Sequence, residues 1–224
     1  MAVRRSRRLQ APFADRQAAG RELAKHLSRY AGQDGIVVLG LPRGGVPVAY
    51  EVASVLQAPL DVLVVRKLGV PGQEELAMGA IASGGVLVLN AAIVADAGVD
   101  RRTLDAVTEL ETDELARREE AYRGDREPVA VSGRTAILVD DGLATGATMR
   151  AAIASVRERG ARSVVVAVPV AARQTIAELR RVVDDIVCPW APDPFVAVGV
   201  WYRDFSATTD DEVRDLLAQG AQLP

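Results

Sequence analysis

Five short aliphatic runs constrain this chain more than any other feature. They are GIVVLG (35–40), DVLVV (61–65), AILVD (136–140), SVVVAVPV (163–170) and DIVC (185–188). They are too short for helices and show little alternation, as expected of strands covered on both faces. Segments of helical period lie between them, at 46–56, 149–160 and 173–182, and another precedes them at 15–30, where Ala19, Leu23, Leu27 and Tyr30 share a face. Strand and helix alternating through short connections imply right-handed crossovers. The expected fold class is therefore α/β, a three-layer α/β/α arrangement on a mostly parallel sheet. MGAIASGGVLVLN (78–90) reads as two strands joined by Ser83-Gly84-Gly85, which predicts an antiparallel strand at an edge. A long charged helix is expected over 100–123, with Asp100 as N-cap and Leu104, Val107 and Leu110 near one face. The stretch 189–205, PWAPDPFVAVGVWYRDF, departs from the alternation and reads as a cap over a site. A last helix follows, opened by a Thr209–Glu212 capping box and burying Val213, Leu216 and Leu217. The expected organisation is a core domain over 1–188, with a helical insertion near 100–123. Residues 189–224 add a C-terminal hood and final helix to the same domain.

Composition removes several functions. A chain of 224 residues, 49% hydrophobic, builds a core without disulfides or structural metal. Cys188 is the single cysteine, so an intrachain disulfide and a cysteine-based zinc site are excluded, and a reducing, cytoplasmic setting is expected. His26 is the single histidine, so a Ser-His-Asp triad has only one candidate and multi-histidine metal sites are excluded. No G-x-S-x-G occurs, which disfavours a serine hydrolase. A net charge of −3 does not suggest a dedicated nucleic-acid binder. Arg4, Arg5, Arg7 and Arg8 are expected to be a solvated terminus, with an RNA or membrane contact as the alternative. No apolar run reaches membrane-spanning length and no signal-peptide core follows these arginines, so no membrane association is expected.

Ligands of open α/β sheets bind at the carboxyl ends of strands, where strand order reverses. Three features fall at such ends: LPRGG (41–45), Arg66-Lys67, and the end of AILVDDGLATGAT (136–148). In the last, Gly142, Gly146, Ala144 and Ala147 allow close backbone approach, and Thr145 and Thr148 offer hydroxyls. A helix starting near Thr148 adds its positive dipole end. A phosphate there gains charge-assisted hydrogen bonds of about 1.5–3 kcal/mol each. Asp140 and Asp141 would repel that phosphate, but carboxylates accept from sugar hydroxyls and balance divalent cations. A phosphorylated sugar with free hydroxyls satisfies both halves. A nucleotide-binding P-loop is excluded because no lysine follows Gly146, and GLPRGG lacks dinucleotide-fingerprint spacing.

AILVDDGLATGAT closely resembles the phosphoribosyl-diphosphate (PRPP) signature of type I phosphoribosyltransferases. With RKLG, ELAMGAI, GGVLVLN and WYRDFSATTDDEV, nearly the whole chain is similar to a bacterial group of predicted phosphoribosyltransferases. The resemblance implies that Asp140 and Asp141 bind the ribose hydroxyls and, through them, stand near Mg²⁺. It implies that Gly142, Leu143, Ala144, Thr145, Gly146, Ala147 and Thr148 cradle the 5′-phosphate. LPRGG is similar to the family's pyrophosphate loop, which places Arg43, Gly44 and Gly45 on the diphosphate and puts a cis peptide at Pro42–Arg43. Arg66 and Lys67 resemble the basic strand end that meets the same group, and Lys67 and Arg43 are the implied catalytic cations. Residues 68–77 match a flexible loop that closes over the reaction, where Glu74 and Glu75 either act on the base or are simply solvated. In the hood, alignment with hypoxanthine-type enzymes puts Phe195 and Val196 on the base and Asp204 near metal. Trp201 and Tyr202 are alternative platforms, and a plain core role is equally open for these aromatics. Two departures stand out: Ala144 occupies the position of an acid in hypoxanthine-type enzymes, and the 100–123 helix is absent from the minimal fold. The implied function is transfer of ribose 5-phosphate from Mg-PRPP to a nitrogenous acceptor, by a homodimer. The alternative is a PRPP-sensing or RNA-binding regulator on the same fold.

Overall fold

A computed structural model describes residues 12–223, so the arginines at 4–8 lie outside the described residues. The elements in chain order are α1 (Arg16–His26), β1 (Ile36–Gly40), α2 (Gly45–Leu56), β2 (Leu60–Val62), β3 (Val65–Val70), β4 (Gln73–Ala82) and β5 (Val86–Leu89). There follow α3 (Ala91–Asp96), α4 (Arg101–Arg123), β6 (Thr135–Val139), α5 (Ala147–Glu158), β7 (Ser163–Ala167), α6 (Arg173–Leu179), β8 (Asp185–Val187) and α7 (Asp210–Gly220).

The apolar runs form a five-stranded parallel sheet in the order β2-β1-β6-β7-β8. Apart from the edge strand β8 its strands are almost wholly buried, and successive residues serve opposite layers. Ile137 and Val139 of β6 pack with α1, α2, α4 and α7, whereas Ala136 and Leu138 pack with α5 and α6. The chain runs from β1 outward to β2, then returns to the other side of β1 with β6. The strand order thus reverses between β1 and β6, and the loops leaving their carboxyl ends meet there.

The 78–90 hairpin forms, but not on an edge of the parallel sheet. β4 and β5 join β3 in a separate three-stranded antiparallel sheet. The run 61–65 divides to allow this. Its first half pairs with β1 up to Gly40, where β1 ends and no neighbour remains. At Val64 the chain changes partner: its N–H donates to Ser83 Oγ at 2.8 Å and its carbonyl accepts from Ser83 N at 2.9 Å. Residues 68–77, expected as a loop, are instead the arms of the β3–β4 hairpin, closed at Pro71-Gly72.

α4 begins after Asp100, whose carboxylate accepts from Thr103 N at 2.7 Å, as expected. Its buried stripe differs from the expectation. Leu104 and Val107 pack on the core, but Leu110 is 67% exposed, and Leu115 and Tyr122 are buried in its place. The stripe 104–107–111–115–122 follows the helical period, and position 110 falls off it. At its far end α4 is fastened by an ion pair within the protein. Arg123 Nε donates to Asp61 Oδ1 at 2.8 Å and Nη2 to the Val62 carbonyl at 2.9 Å, while Asp61 Oδ2 accepts from Val129 N at 3.0 Å. The two side chains are 9% and 7% exposed. α7 starts at Thr209, whose Oγ1 accepts from Glu212 N at 3.1 Å, and buries Val213, Leu216 and Leu217.

Removing one partner of a buried, hydrogen-bonded ion pair strands the other charge. Asp61→Ala is therefore expected to lower the unfolding free energy by about 3–5 kcal/mol in urea melts. Asp125→Ala, at an exposed position, should stay within about 0.5 kcal/mol of the parent.

Candidate active site

The loop after β1 and the loop after β6 are pressed together. The Pro42–Arg43 peptide is cis, as expected. A Cβ on Gly44 would stand 2.1 Å from Asp141 Oδ2, and a Cβ on Gly45 would stand 2.7 Å from the Val139 carbonyl and 2.9 Å from Asp140 Cα. These glycines thus make room for the two acids. Asp140 Oδ1 accepts from Asp141 N at 2.8 Å. Asp141 is held on two further sides: Arg16 Nε donates to Oδ2 at 2.8 Å, and the Tyr202 hydroxyl donates to its carbonyl at 2.5 Å.

Burial and the neighbouring Asp141 charge push the Asp140 carboxyl well above the ordinary carboxylate range. Burial raises Asp141 too, opposed by the hydrogen bond and charge of Arg16. Burial also raises the Tyr202 phenol, which stays protonated as a donor.

Residues 142–148 follow as a loop fixed from outside. Leu143 N donates to the Val170 carbonyl at 2.9 Å, and its own carbonyl accepts from Ala172 N at 3.0 Å. The Thr175 hydroxyl donates to the Ala144 carbonyl, and Arg150 Nη2 donates to the Thr145 carbonyl at 2.6 Å. Gly146 is in the left-handed region, φ 71°, and a Cβ there would meet Thr175 Cγ2 at 2.7 Å. α5 begins directly after it, with the first N–H groups unpaired within the helix, as at any helix start. Ala144, Thr145 and Ala147 are exposed and Thr148 is half-buried, so the loop presents amides, hydroxyls and a positive dipole end outward.

The basic groups divide. Side chains alternate along β3, so adjacent Arg66 and Lys67 point to opposite sides. Arg66 Nε donates to Glu111 Oε2 of α4 at 2.7 Å. Lys67 is exposed and lines a concavity of about 180 Å³ with Ala147, Thr148 and Arg150. Arg43 is half-exposed, 3.7 Å from Asp210 Oδ1, beside Arg117, Arg118 and Tyr122.

Two of the expected hood platforms are core residues. Trp201 and Tyr202 are 2% and 5% exposed and pack with Phe13 and Val170, so neither ring offers a face to a ligand. Phe195 is partly buried on the same cluster, and Val196 is 67% exposed. Glu74 belongs to the hairpin, where its Oε1 accepts from Gly72 N at 3.0 Å; Glu75 is exposed on β4. Asp204 Oδ1 accepts from Ser206 N at 2.9 Å and from the Ser206 hydroxyl, which hold it below the usual carboxylate range. No group of three or more metal-ligating side chains occurs among the described residues. Arg16, Thr175 and Arg150 were not singled out from the sequence. Arg16 did leave a signal: a cation in the first turn of a helix opposes the dipole.

The family profile described as "Phosphoribosyl transferase domain" matches residues 13–200. A Mycobacterium tuberculosis H37Rv protein provisionally named as a phosphoribosyl transferase is 52% identical over 201 residues, covering 90% of this chain and 45% of that protein. The chain thus spans a little under half the length of that relative. The crystal structure of TT1426 from Thermus thermophilus is similar at a TM-score of 0.80 and 44% identity, covering 92% of this chain and 98% of that one. No helix among the described residues is long and apolar enough to cross a membrane.

The raised Asp140 carboxyl has a consequence for stability. When a carboxyl titrates higher in the folded state than in the unfolded one, the native state holds the extra proton. Stability is then greatest below the unfolded value of 3.8 and falls as pH rises through the folded one. Asp140→Asn keeps an oxygen to accept from Asp141 N and removes that fall. Thermal melts should show a flatter pH profile and, at neutral pH, a Tm raised by about 2–4 °C. An unchanged or lowered Tm would count against a strained acid pair.

Proposed function

Because the chain belongs to the phosphoribosyl transferase domain family and has its type I α/β fold, we propose that it binds Mg-PRPP and transfers ribose 5-phosphate to a nitrogenous acceptor of the nucleobase kind, releasing pyrophosphate. The observation that carries this reading is the juxtaposition at the β1/β6 switch point of a half-buried acid pair and a braced, outward-facing loop at the start of α5. One ligand with sugar hydroxyls at one end and a phosphate at the other satisfies both.

In this reading, Asp140 and Asp141 accept from the ribose hydroxyls and oppose the positive charge that develops on the ring. Residues 142–148 hold the 5′-phosphate with amides and the Thr145 and Thr148 hydroxyls. Arg43, Gly44 and Gly45 on one side and Lys67 on the other receive the diphosphate. As the acceptor nitrogen bonds to the anomeric carbon, the bond to diphosphate oxygen breaks and charge grows on the leaving group. In this reading Arg43 and Lys67 stabilise that charge. No side chain acts as nucleophile. The donor set suits Mg²⁺, which takes oxygen ligands and keeps waters and phosphates in its shell. Asp140 and Asp141 would hold it through the sugar hydroxyls, and when bound it would neutralise diphosphate charge. Phe195 and the Val196 backbone remain the hood groups for the acceptor. A homodimer, a cytoplasmic setting and a single domain with the hood over 189–224 complete the proposal. The regulator reading rests on the arginines at 4–8, and RNA filter binding with and without PRPP separates it from the enzyme.

Calorimetry with Mg-PRPP is the direct test. The variant carrying Asp140→Asn and Asp141→Asn should stay folded and lose binding, and unchanged affinity in it would sink the assignment. A pyrophosphate-release screen against purines, pyrimidines and small amines identifies the acceptor. In that assay Lys67→Ala should lower kcat/KM by about 10²–10³. Arg66→Ala, which breaks a pair with Glu111, should act mainly on stability.

A further inference from the structure

Arg16 stands outside every role assigned above, yet its guanidinium is engaged on three sides. Nε donates to Asp141 Oδ2 at 2.8 Å, Nη1 donates to the Ser206 carbonyl at 2.6 Å, and the plane lies over the Phe205 ring, 4.0 Å from its centroid. The side chain is 12% exposed. Gly44 abuts the same pair, since a Cβ there would stand 3.1 Å from Arg16 Nε as well as against Asp141. One guanidinium therefore joins the N-terminal helix, the loop after β1, the second acid and the hood. The hood is tied to the same segment by its backbone: Arg203 N donates to the Phe13 carbonyl at 3.0 Å and Asp204 N to the Ala14 carbonyl at 2.9 Å. Only a planar fork of donors serves a carboxylate, a carbonyl and an aromatic face at once; an ammonium is a point charge.

We propose that Arg16 is a positioning residue that couples the hood to the sugar site. By engaging Oδ2 it fixes the Asp141 carboxylate so that Oδ1 is turned to accept a sugar hydroxyl. By engaging the Ser206 carbonyl and Phe205 it anchors the hood to that same carboxylate. Hood order and PRPP affinity then depend on each other. The proposal rests on the PRPP-binding reading of the site.

A double-mutant cycle of Arg16→Gln with Asp141→Asn, read by calorimetry with Mg-PRPP, tests it. Arg16→Gln should weaken binding on the order of tenfold in the parent background and not further in the Asp141→Asn background. Arg16→Lys should recover part of the loss. Equal losses in both backgrounds would mean a merely structural role and overturn the proposal while leaving the function intact. Hydrogen exchange at Arg203, Asp204 and Ser206 should quicken in Arg16→Gln, and unchanged exchange would overturn the hood coupling. Should Arg16→Gln fail to fold, Arg16→Lys takes its place in the cycle, with the same outcomes. If the parent chain binds no Mg-PRPP, the functional reading falls, and the exchange measurement alone decides the hood clamp.

Discussion

The site depends on one contact, the seating of the Asp140–Asp141 pair against the backbone of Gly44 and Gly45. With a Cβ 2.1 Å from Asp141 Oδ2, no larger residue at position 44 is compatible with this packing. The contact is a consequence of topology. β1 and β6 are neighbours with their chain directions aligned and their registers matched from Ile36–Thr135 to Gly40–Val139. Both end at the same level, so their loops emerge side by side. One loop must be nearly free of side chains for the other to carry two. The sheet order thus dictates both the glycines and the acids, and it makes the reversal of strand order a place where a ligand's two ends meet different chemistry.

Electrostatically the arrangement is stable only in part. Two adjacent carboxylates are half-buried, and one cation, Arg16, is set against one of them. Asp140 has the Asp141 amide and, among the described residues, no salt bridge of its own. Neighbouring groups bring rigidity: Tyr202, Leu143, Thr175 and Arg150 fasten the signature through its backbone carbonyls and amides. Active sites commonly concentrate such unrelieved charge because a bound substrate resolves it.

The strand runs, the three layers, the caps at Asp100 and Thr209 and the exposed small-residue loop after β6 were legible in the sequence, since each rests on local patterning. What was not legible involves partners distant in the chain. Residues 61–65 read as one strand because nothing local reveals that β1 runs out at Gly40. Leu110 read as buried because a short list of apolar positions does not fix the helix face; Leu115 and Tyr122 do. Trp201 and Tyr202 were open between platform and core, and Phe13, far away in sequence, closes the question by packing on them. Arg16 lies 125 residues from its carboxylate, and only its awkward place in a helix's first turn hinted that a tertiary partner compensates.

The choice between Arg66 and Lys67 shows how an added element reshapes a site without touching it. From sequence both cations stood at one strand end. Pleating alone allows one of them to face the concavity beside Thr148, but does not say which. α4 decides it from the other side: Leu115 and Tyr122 seat the helix on the core, Asp61 fixes its far end through Arg123, and Glu111 is thereby presented to Arg66. The pair is a quarter or less exposed, so Arg66 would lose that partner by swinging away. Lys67 is exposed, and in the proposed reading it answers a developing negative charge. In the proposed reading α4 therefore acts on the site by subtraction, pairing one of two cations with Glu111 and leaving the other to the ligand.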